Sequence, residues 1–151
     1  MEADKHLIWA QRLCSAREVC PQEMRLKLKA RGVEPEEAER MIAALIEQDF
    51  INEERYVSAF VHDKSKLQGW GREKIRYALF AKQIPEATLN KALARLDPSI
   101  QKETLRRLLE AKRLSVKAAS ETDLCAKLIR FGLARGFTYE DVIQSVHAII
   151  T

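Results

Sequence analysis

The sequence predicts an all-α fold: an elongated, curved array of three tandem three-helix units. Charged residues make up 32% of the 151-residue chain, whereas glycine and proline number only five and four, a balance typical of a helical protein. Apolar residues recur at helical spacing along nearly the whole chain. A set of these positions also repeats at intervals of 51 to 53 residues. Units of this size expose an apolar face unless they stack, so we expect an array.

The first unit is predicted to cover residues 1–49. Its first helix spans about 4–15 and carries apolar residues on one face. Pro21 then stands at a position favoured in a first helical turn, and Gly32 ends this second helix. Pro35 opens the third helix, whose apolar residues follow the i, i+3, i+4, i+7 rule.

The second unit is predicted to cover residues 50–97. Asn52 caps its first helix, and the two glutamates that follow suit the positive end of the helix dipole. We expect this helix to end near Gly69, because glycine is favoured where the backbone turns tightly or takes a positive φ. A second helix follows the Gly-Trp-Gly turn at 69–71, and Pro85 opens a third.

The third unit is predicted to cover residues 98–151. The Asp-Pro pair at 97–98 is a cap followed by a proline, which is a helix start signal. Gly136 closes the second helix of this unit. Thr138 and Asp141 then resemble a capping box, with Asp in place of the usual Glu.

The three units align on their apolar positions. Met24, Leu28, Val33, Ile42 and Leu45 recur 51 positions later as Ile75, Leu79, Ile84, Leu93 and Leu96. Ile75, Ile84, Leu89, Leu93 and Leu96 recur 53 positions later as Leu128, Phe137, Val142, Val146 and Ile149. The turn glycines Gly32 and Gly136 fall in register with Gln83. Spacing, turns and helix starts agree, which favours a repeat over a coincidence between amphipathic helices.

The net charge of +4 conceals blocks of opposite sign. Residues 34–54 hold eight acids against one base, a net charge of −7. Residues 61–82 hold six bases against two acids, and residues 100–135 hold nine against four, giving +4 and +5. Separated blocks suit an oriented, charged partner, and solvated helix faces are the alternative interpretation.

No catalytic, cofactor or metal site is predicted. His6, His62 and His147 have no carboxylate or nucleophile at motif spacing. The Gly-Trp-Gly turn is too short for a phosphate-binding fingerprint, and no strand precedes it. The sequence contains no group of residues with the spacing of metal ligands that converge on one ion. We therefore expect a protein that is not an enzyme and needs no cofactor.

The chain is expected to be a cytoplasmic monomer without membrane association. Cys14, Cys20 and Cys125 lack a paired spacing, which suits free thiols in a reducing compartment. The opening residues, MEADKHLIWAQRL, are amphipathic with early acids, unlike a signal peptide. No apolar run approaches the roughly 18 residues that span a bilayer.

The candidate partner-binding site lies in the second unit, where bases cluster around Trp70. Its predicted residues are Arg55, Lys64, Lys66, Trp70, Arg72, Lys74 and Arg76. Arg72 and Arg76 lie four apart and share one side of a helix. Trp70 either stacks on a base or fills a pocket on a protein partner, or it packs under the turn as core. Arg55 either contacts the partner or pairs with acids at its helix start. Phe80, off the apolar face, is interpreted as packing between units.

These residues resemble the RecX family of bacterial recombination regulators. The resemblance rests on Phe50-Ile51-Asn52-Glu53-Glu54-Arg55-Tyr56, Ala59-Phe60-Val61, Gly69-Trp70-Gly71, Lys74-Ile75-Arg76 and Leu79, in that order. The segment from Met24 to Gly32 also resembles the first unit of the family. The sequence departs from the family at four positions. The family often has Pro at the position of Arg72, Gly at that of Gln83, and Asp at those of Asn52 and Glu53.

The resemblance implies a protein without catalysis that binds the RecA recombinase filament and restrains it. Members of the family lie in the groove of the RecA–DNA filament, lower its ATP hydrolysis and strand exchange, and favour net filament loss. The alternative is a stand-alone helical protein that binds single- or double-stranded DNA. A third interpretation is a scaffold that binds another protein through the acids of residues 34–54.

Overall fold

The computed structural model describes residues 2–151, and every regular element in that range is a helix, which confirms the predicted all-α class. Met1, the first residue of the predicted first unit, lies outside the described residues. The elements are α1 (Glu2–Ala16), α2 (Pro21–Ala30), α3 (Pro35–Glu47), α4 (Glu53–His62), a π-helical segment (Asp63–Leu67), α5 (Arg72–Ala81), α6 (Glu86–Leu93), α7 (Pro98–Ser115), α8 (Glu121–Ala134) and α9 (Tyr139–Ile150). None of these helices is both long and apolar enough to cross a membrane.

The helices pack in three consecutive groups. In the first group α2 lies against α3, in the second α4 and α5 both lie against α6, and in the third α7, α8 and α9 contact each other pairwise. The buried apolar side chains of the described residues likewise form three clusters, one for each group, with two exceptions in the connections: Cys20 before α2 joins the second cluster, and Ile51 before α4 joins the first. This packing is that of tandem helical units rather than of one common bundle. The boundaries at 49/50 and 97/98 and the curvature of the array stay predictions.

The repeated positions occupy equivalent places in the three groups. Leu28, Leu79 and Leu128 are each fully buried. The residue that ends the middle helix of each group has a positive φ: 84° at Gly32, 61° at Gln83 and 96° at Gly136. Gln83 therefore ends α5 in the left-handed conformation that glycine adopts at the other two positions.

The predicted helix caps are confirmed. Asn52 Oδ1 accepts a hydrogen bond from the Arg55 amide at 2.9 Å, and Asp97 Oδ1 accepts one from Ser99 at 2.9 Å. Thr138 Oγ1 accepts one from the amide of Asp141 at 3.2 Å. Each of these side chains satisfies an amide that has no partner within its own helix.

The helical segment that opens the second group ends close to Gly69 as predicted, but its last five residues are π-helical rather than α-helical. Regular α-helix ends at His62, and five residues of π-helix follow. The Gln68 amide bonds to the carbonyl of Asp63 at 3.2 Å, and the buried Ser65 hydroxyl donates to the Val61 carbonyl at 2.6 Å. The wider turn advances the side chains by one residue, and such segments frequently occur at functional sites.

Phe80 does not pack between units as predicted. Its side chain is 73% exposed.

Candidate partner-binding surface

Trp70 is half-buried and packs against the apolar cluster of the second group. Its ring meets Phe60 edge-on, with 6.3 Å between the ring centroids. The ammonium of Lys64 lies 4.9 Å from the centroid of the Trp70 ring, and that of Lys74 lies 4.4 Å from it. Both distances fall within the range of cation–π attraction.

This arrangement favours the packed interpretation of Trp70 over an open stacking platform. One edge of the indole meets Phe60, and two ammonium groups from different elements lie against the ring. The Trp70 amide also donates to the carbonyl of Lys64 at 2.8 Å, which closes the loop after the π segment. The ring therefore attracts two cations to the same place on the protein.

Apart from Arg55, the remaining cations of the predicted site lie on the same two elements. Lys66 is exposed on the π segment, and Arg72 and Arg76 are half-buried on α5. Arg76 Nη1 donates to Asn90 Oδ1 at 3.0 Å and so ties α5 to α6. We name Lys64, Lys66, Trp70, Arg72, Lys74 and Arg76 the basic surface.

The Gly-Trp-Gly turn joins the second helix group to the third. The Gly71 amide donates to the carbonyl of Arg135 at 2.8 Å, and the Glu73 amide donates to that of Gly136 at 2.9 Å. The positive end of the α5 dipole thus meets the negative end of α8. The Arg135 guanidinium also donates to the carbonyl of Gln68. We call this contact the α5–α8 junction.

The two glycines of the turn serve different purposes. Gly69 has a positive φ of 66°, as predicted. Gly71 does not: its φ is −78°, and it is buried. A Cβ at Gly71 would lie 2.4 Å from the carbonyl oxygen of Gly136. Gly71 is therefore required by the close approach of two backbones, a role that sequence analysis missed together with its partners Arg135 and Gly136.

Residues 52–93, which contain Trp70 and every base of the basic surface, match the family described as RecX, second three-helix domain. The chain is 34% identical over 120 residues to the regulatory protein RecX of Clostridium perfringens (strain 13), a match covering 78% of this chain and 56% of that protein. It is 32% identical over 126 residues to the regulatory protein RecX of Clostridium tetani, covering 82% and 57%. The chain belongs to the RecX family.

Two solved RecX structures share the fold. A crystal structure of RecX from Lactobacillus salivarius superposes with a TM-score of 0.79 at 22% identity, covering 97% of this chain and 96% of that one. A second RecX crystal structure gives a TM-score of 0.86 at 20% identity, covering 97% and 71%. The chain spans just over half the length of the curated RecX relatives described above.

Arg55 lies within the region that matches the RecX domain but apart from the ring of Trp70. Its Nε donates to Glu18 Oε2 at 2.7 Å, and Nη2 donates to the carbonyl of Asp49 at 3.0 Å. The hydrogen bond to Glu18 raises the pKa of the Arg55 guanidinium. Its partners come from the first helix group and the connection after it, so Arg55 links the first group to the second. This geometry favours the structural interpretation of Arg55.

Proposed function

We propose that the chain binds the filament that RecA recombinase forms on DNA and lowers its ATP hydrolysis and strand exchange. Membership of the RecX family carries this proposal, and the region that matches its second three-helix domain contains the basic surface. We further propose that the chain acts by binding alone, without catalysis or a cofactor, as a monomer in the cytoplasm.

We place the partner contact on the basic surface and leave Arg55 out of it, since its guanidinium joins two helix groups. Residues 61–82 carry six bases against two acids. A concentrated positive surface steers an acidic partner and sets its orientation, even where each single charge adds little affinity. Trp70 contributes by holding Lys64 and Lys74 together.

Reversing two charges of the basic surface should relieve the inhibition of RecA. Lys66→Glu with Arg72→Glu is the cleanest pair, because neither side chain has an ion-pair partner among the described residues. Arg76 is a poorer choice, because its bond to Asn90 supports the fold. We expect the concentration that half-inhibits RecA ATP hydrolysis to rise roughly tenfold or more, mainly through slower association.

The matched control is Lys29→Glu with Lys117→Glu, which changes the net charge equally at exposed sites in the first and third groups. The control should inhibit as the unchanged protein does, and both variants should melt at the original temperature. Full inhibition by the Lys66 and Arg72 variant would show that the basic surface is assigned wrongly. Equal losses in both variants would point to net charge alone.

Direct binding to DNA is a second candidate function. Lys66 and Arg72 have no acidic partner within the described part of the chain, so both charges are available to phosphates. Tight binding of a duplex without RecA, with a steep fall in affinity as salt rises, would favour this function. Binding to filaments but not to the same DNA alone would favour the RecA contact.

A further inference from the structure

Helix α5 turns two aromatic side chains toward solvent, on the side opposite its buried face. Tyr77 is 76% exposed and Phe80 is 73% exposed, whereas Ile75 and Leu79 of the same helix are fully buried. Tyr77 and Phe80 are three residues apart, so they lie next to each other on the helix surface. Neither residue belongs to the basic surface.

This aromatic pair has a distinctive setting. A single exposed apolar side chain is ordinary on a protein surface. Here two exposed aromatic residues are neighbours on one helix, and three bases lie within five residues of them: Lys74, Arg76 and Lys82. An aromatic ring removes about 150–250 Å² from solvent when it is buried, so a pair supplies much of the apolar centre of an interface.

We propose that Tyr77 and Phe80 anchor α5 in an apolar groove of a protein partner, and that acidic side chains rim this groove. Helices that dock in grooves present anchors at i, i+3 and i+4, which on α5 are Tyr77, Phe80 and the small Ala81. Residues 72–82 carry four bases against one acid, so an acidic rim is the complementary one. This inference rests on the proposed function, since it identifies the chemistry of the surface that the basic residues meet.

The geometry of the helix favours a protein partner over a nucleic acid. Glu73 is one turn before Tyr77 on the same side of α5, and its side chain is 51% exposed. A phosphate backbone is negative along its whole length and would meet that carboxylate, whereas the separate acids of a protein groove can face Lys74, Arg76 and Lys82 without facing Glu73. Stacking on a single strand also requires rings that line a groove following the strand, whereas these rings project from a convex helix.

Tyr77 and Phe80 differ from Trp70 in how much of their surface contacts solvent. Trp70 packs on the second cluster beneath two lysines, whereas Tyr77 and Phe80 contact solvent over about three quarters of their surface. Replacing the exposed pair therefore leaves the core intact and tests the interface alone.

The test compares a double variant, in which Tyr77→Ala and Phe80→Ala are combined, with the unchanged chain. Binding is measured to RecA filaments assembled on a fluorescent poly(dT) oligonucleotide and, separately, to that oligonucleotide alone. We expect filament affinity to fall roughly 30-fold or more, because central aromatic anchors dominate interface energetics. The control, Ile46→Ala with Leu114→Ala, removes exposed apolar side chains from α3 and α7 and should bind as the unchanged chain does.

Each outcome decides the inference. A filament-specific loss with an unaffected control supports it. An unchanged filament affinity in the Tyr77 and Phe80 variant overturns it while the proposed function stands. An equal loss of affinity for the bare oligonucleotide overturns it in favour of a nucleic-acid contact. If the unchanged chain binds no filament, the proposed function fails first and the inference fails with it.

Discussion

Replacing Gly136 by alanine is expected to lower the free energy of unfolding by about 2–5 kcal/mol and to open the α5–α8 junction. The φ of Gly136 is +96°, and a left-handed conformation costs an L-residue with a side chain about 1–2 kcal/mol. The new Cβ would also lie 2.2 Å from Lys74 Cβ and 2.7 Å from its amide nitrogen. Crowding of this kind costs about 1–3 kcal/mol. If the helices separate, this crowding is relieved but the two amide bonds from the start of α5 to the end of α8 are lost instead, at about 0.5–1.5 kcal/mol each.

Gly32 provides the matched control for this experiment. It ends α2 with a φ of +84°, but a Cβ added there meets no atom of the described residues within 4 Å. Gly32→Ala should therefore cost only the conformational strain, about 1–2 kcal/mol. Urea unfolding of both variants isolates the close approach at the α5–α8 junction as the difference between them. Equal destabilisation of the two proteins would contradict the role given to Gly136.

The difference between these glycines marks the limit of what the sequence predicts. Gly32, Gln83 and Gly136 could be aligned because the end of a helix leaves a local pattern of turn residues and apolar spacing. The partners of Gly71, Arg135 and Gly136, lie 64 and 65 residues away, and the contact is made by backbone atoms, which no residue type encodes. The sequence therefore indicates that a glycine matters at position 71, but not that a second helix group docks there.

The helices themselves were largely predictable, because caps and apolar stripes are local. The exception is the π segment, where one extra residue per turn displaces the side chains after His62. Its buried member, Ser65, is polar and carries no apolar signal in the sequence. A window that assumes 3.6 residues per turn continues α4 to Gly69 and misses this shift.

The candidate site was predicted in part. The sequence shows that bases cluster around Trp70, and the structure places the ammonium groups of Lys64 and Lys74 against its ring. The sequence leaves Arg55 open between a partner contact and an ion pair, whereas in the structure its guanidinium pairs with Glu18, 37 residues earlier. The sequence gives one indication of the exposed pair on α5, because Phe80 lies off the apolar stripe of its helix. That position predicts packing between units, but the sequence alone does not show where a neighbouring unit lies.

Trp70→Ala is expected to destabilise the protein by about 2–4 kcal/mol and to weaken filament binding together with stability. Loss of a fully buried Trp costs about 3–5 kcal/mol, and the partial exposure of Trp70 lowers that figure. The substitution removes the contact with Phe60 and the ring that holds the ammonium groups of Lys64 and Lys74. These cations then lose their fixed separation and bind a partner at a greater entropic cost. Urea unfolding and filament titration of the same samples measure both effects.

Two further variants separate packing from direct contact. Trp70→Phe keeps an aromatic face for the lysines, so it should retain most of the filament affinity and lose less stability than alanine. Tyr77→Ala removes an aromatic side chain that is 76% exposed, so its unfolding free energy should stay within about 0.5 kcal/mol of the original. If Trp70→Ala instead left stability unchanged and abolished binding, Trp70 would itself contact the partner. The lysines would then be neighbours of the contact rather than cations that the ring positions, and the basic surface would have to be redrawn with the indole at its centre.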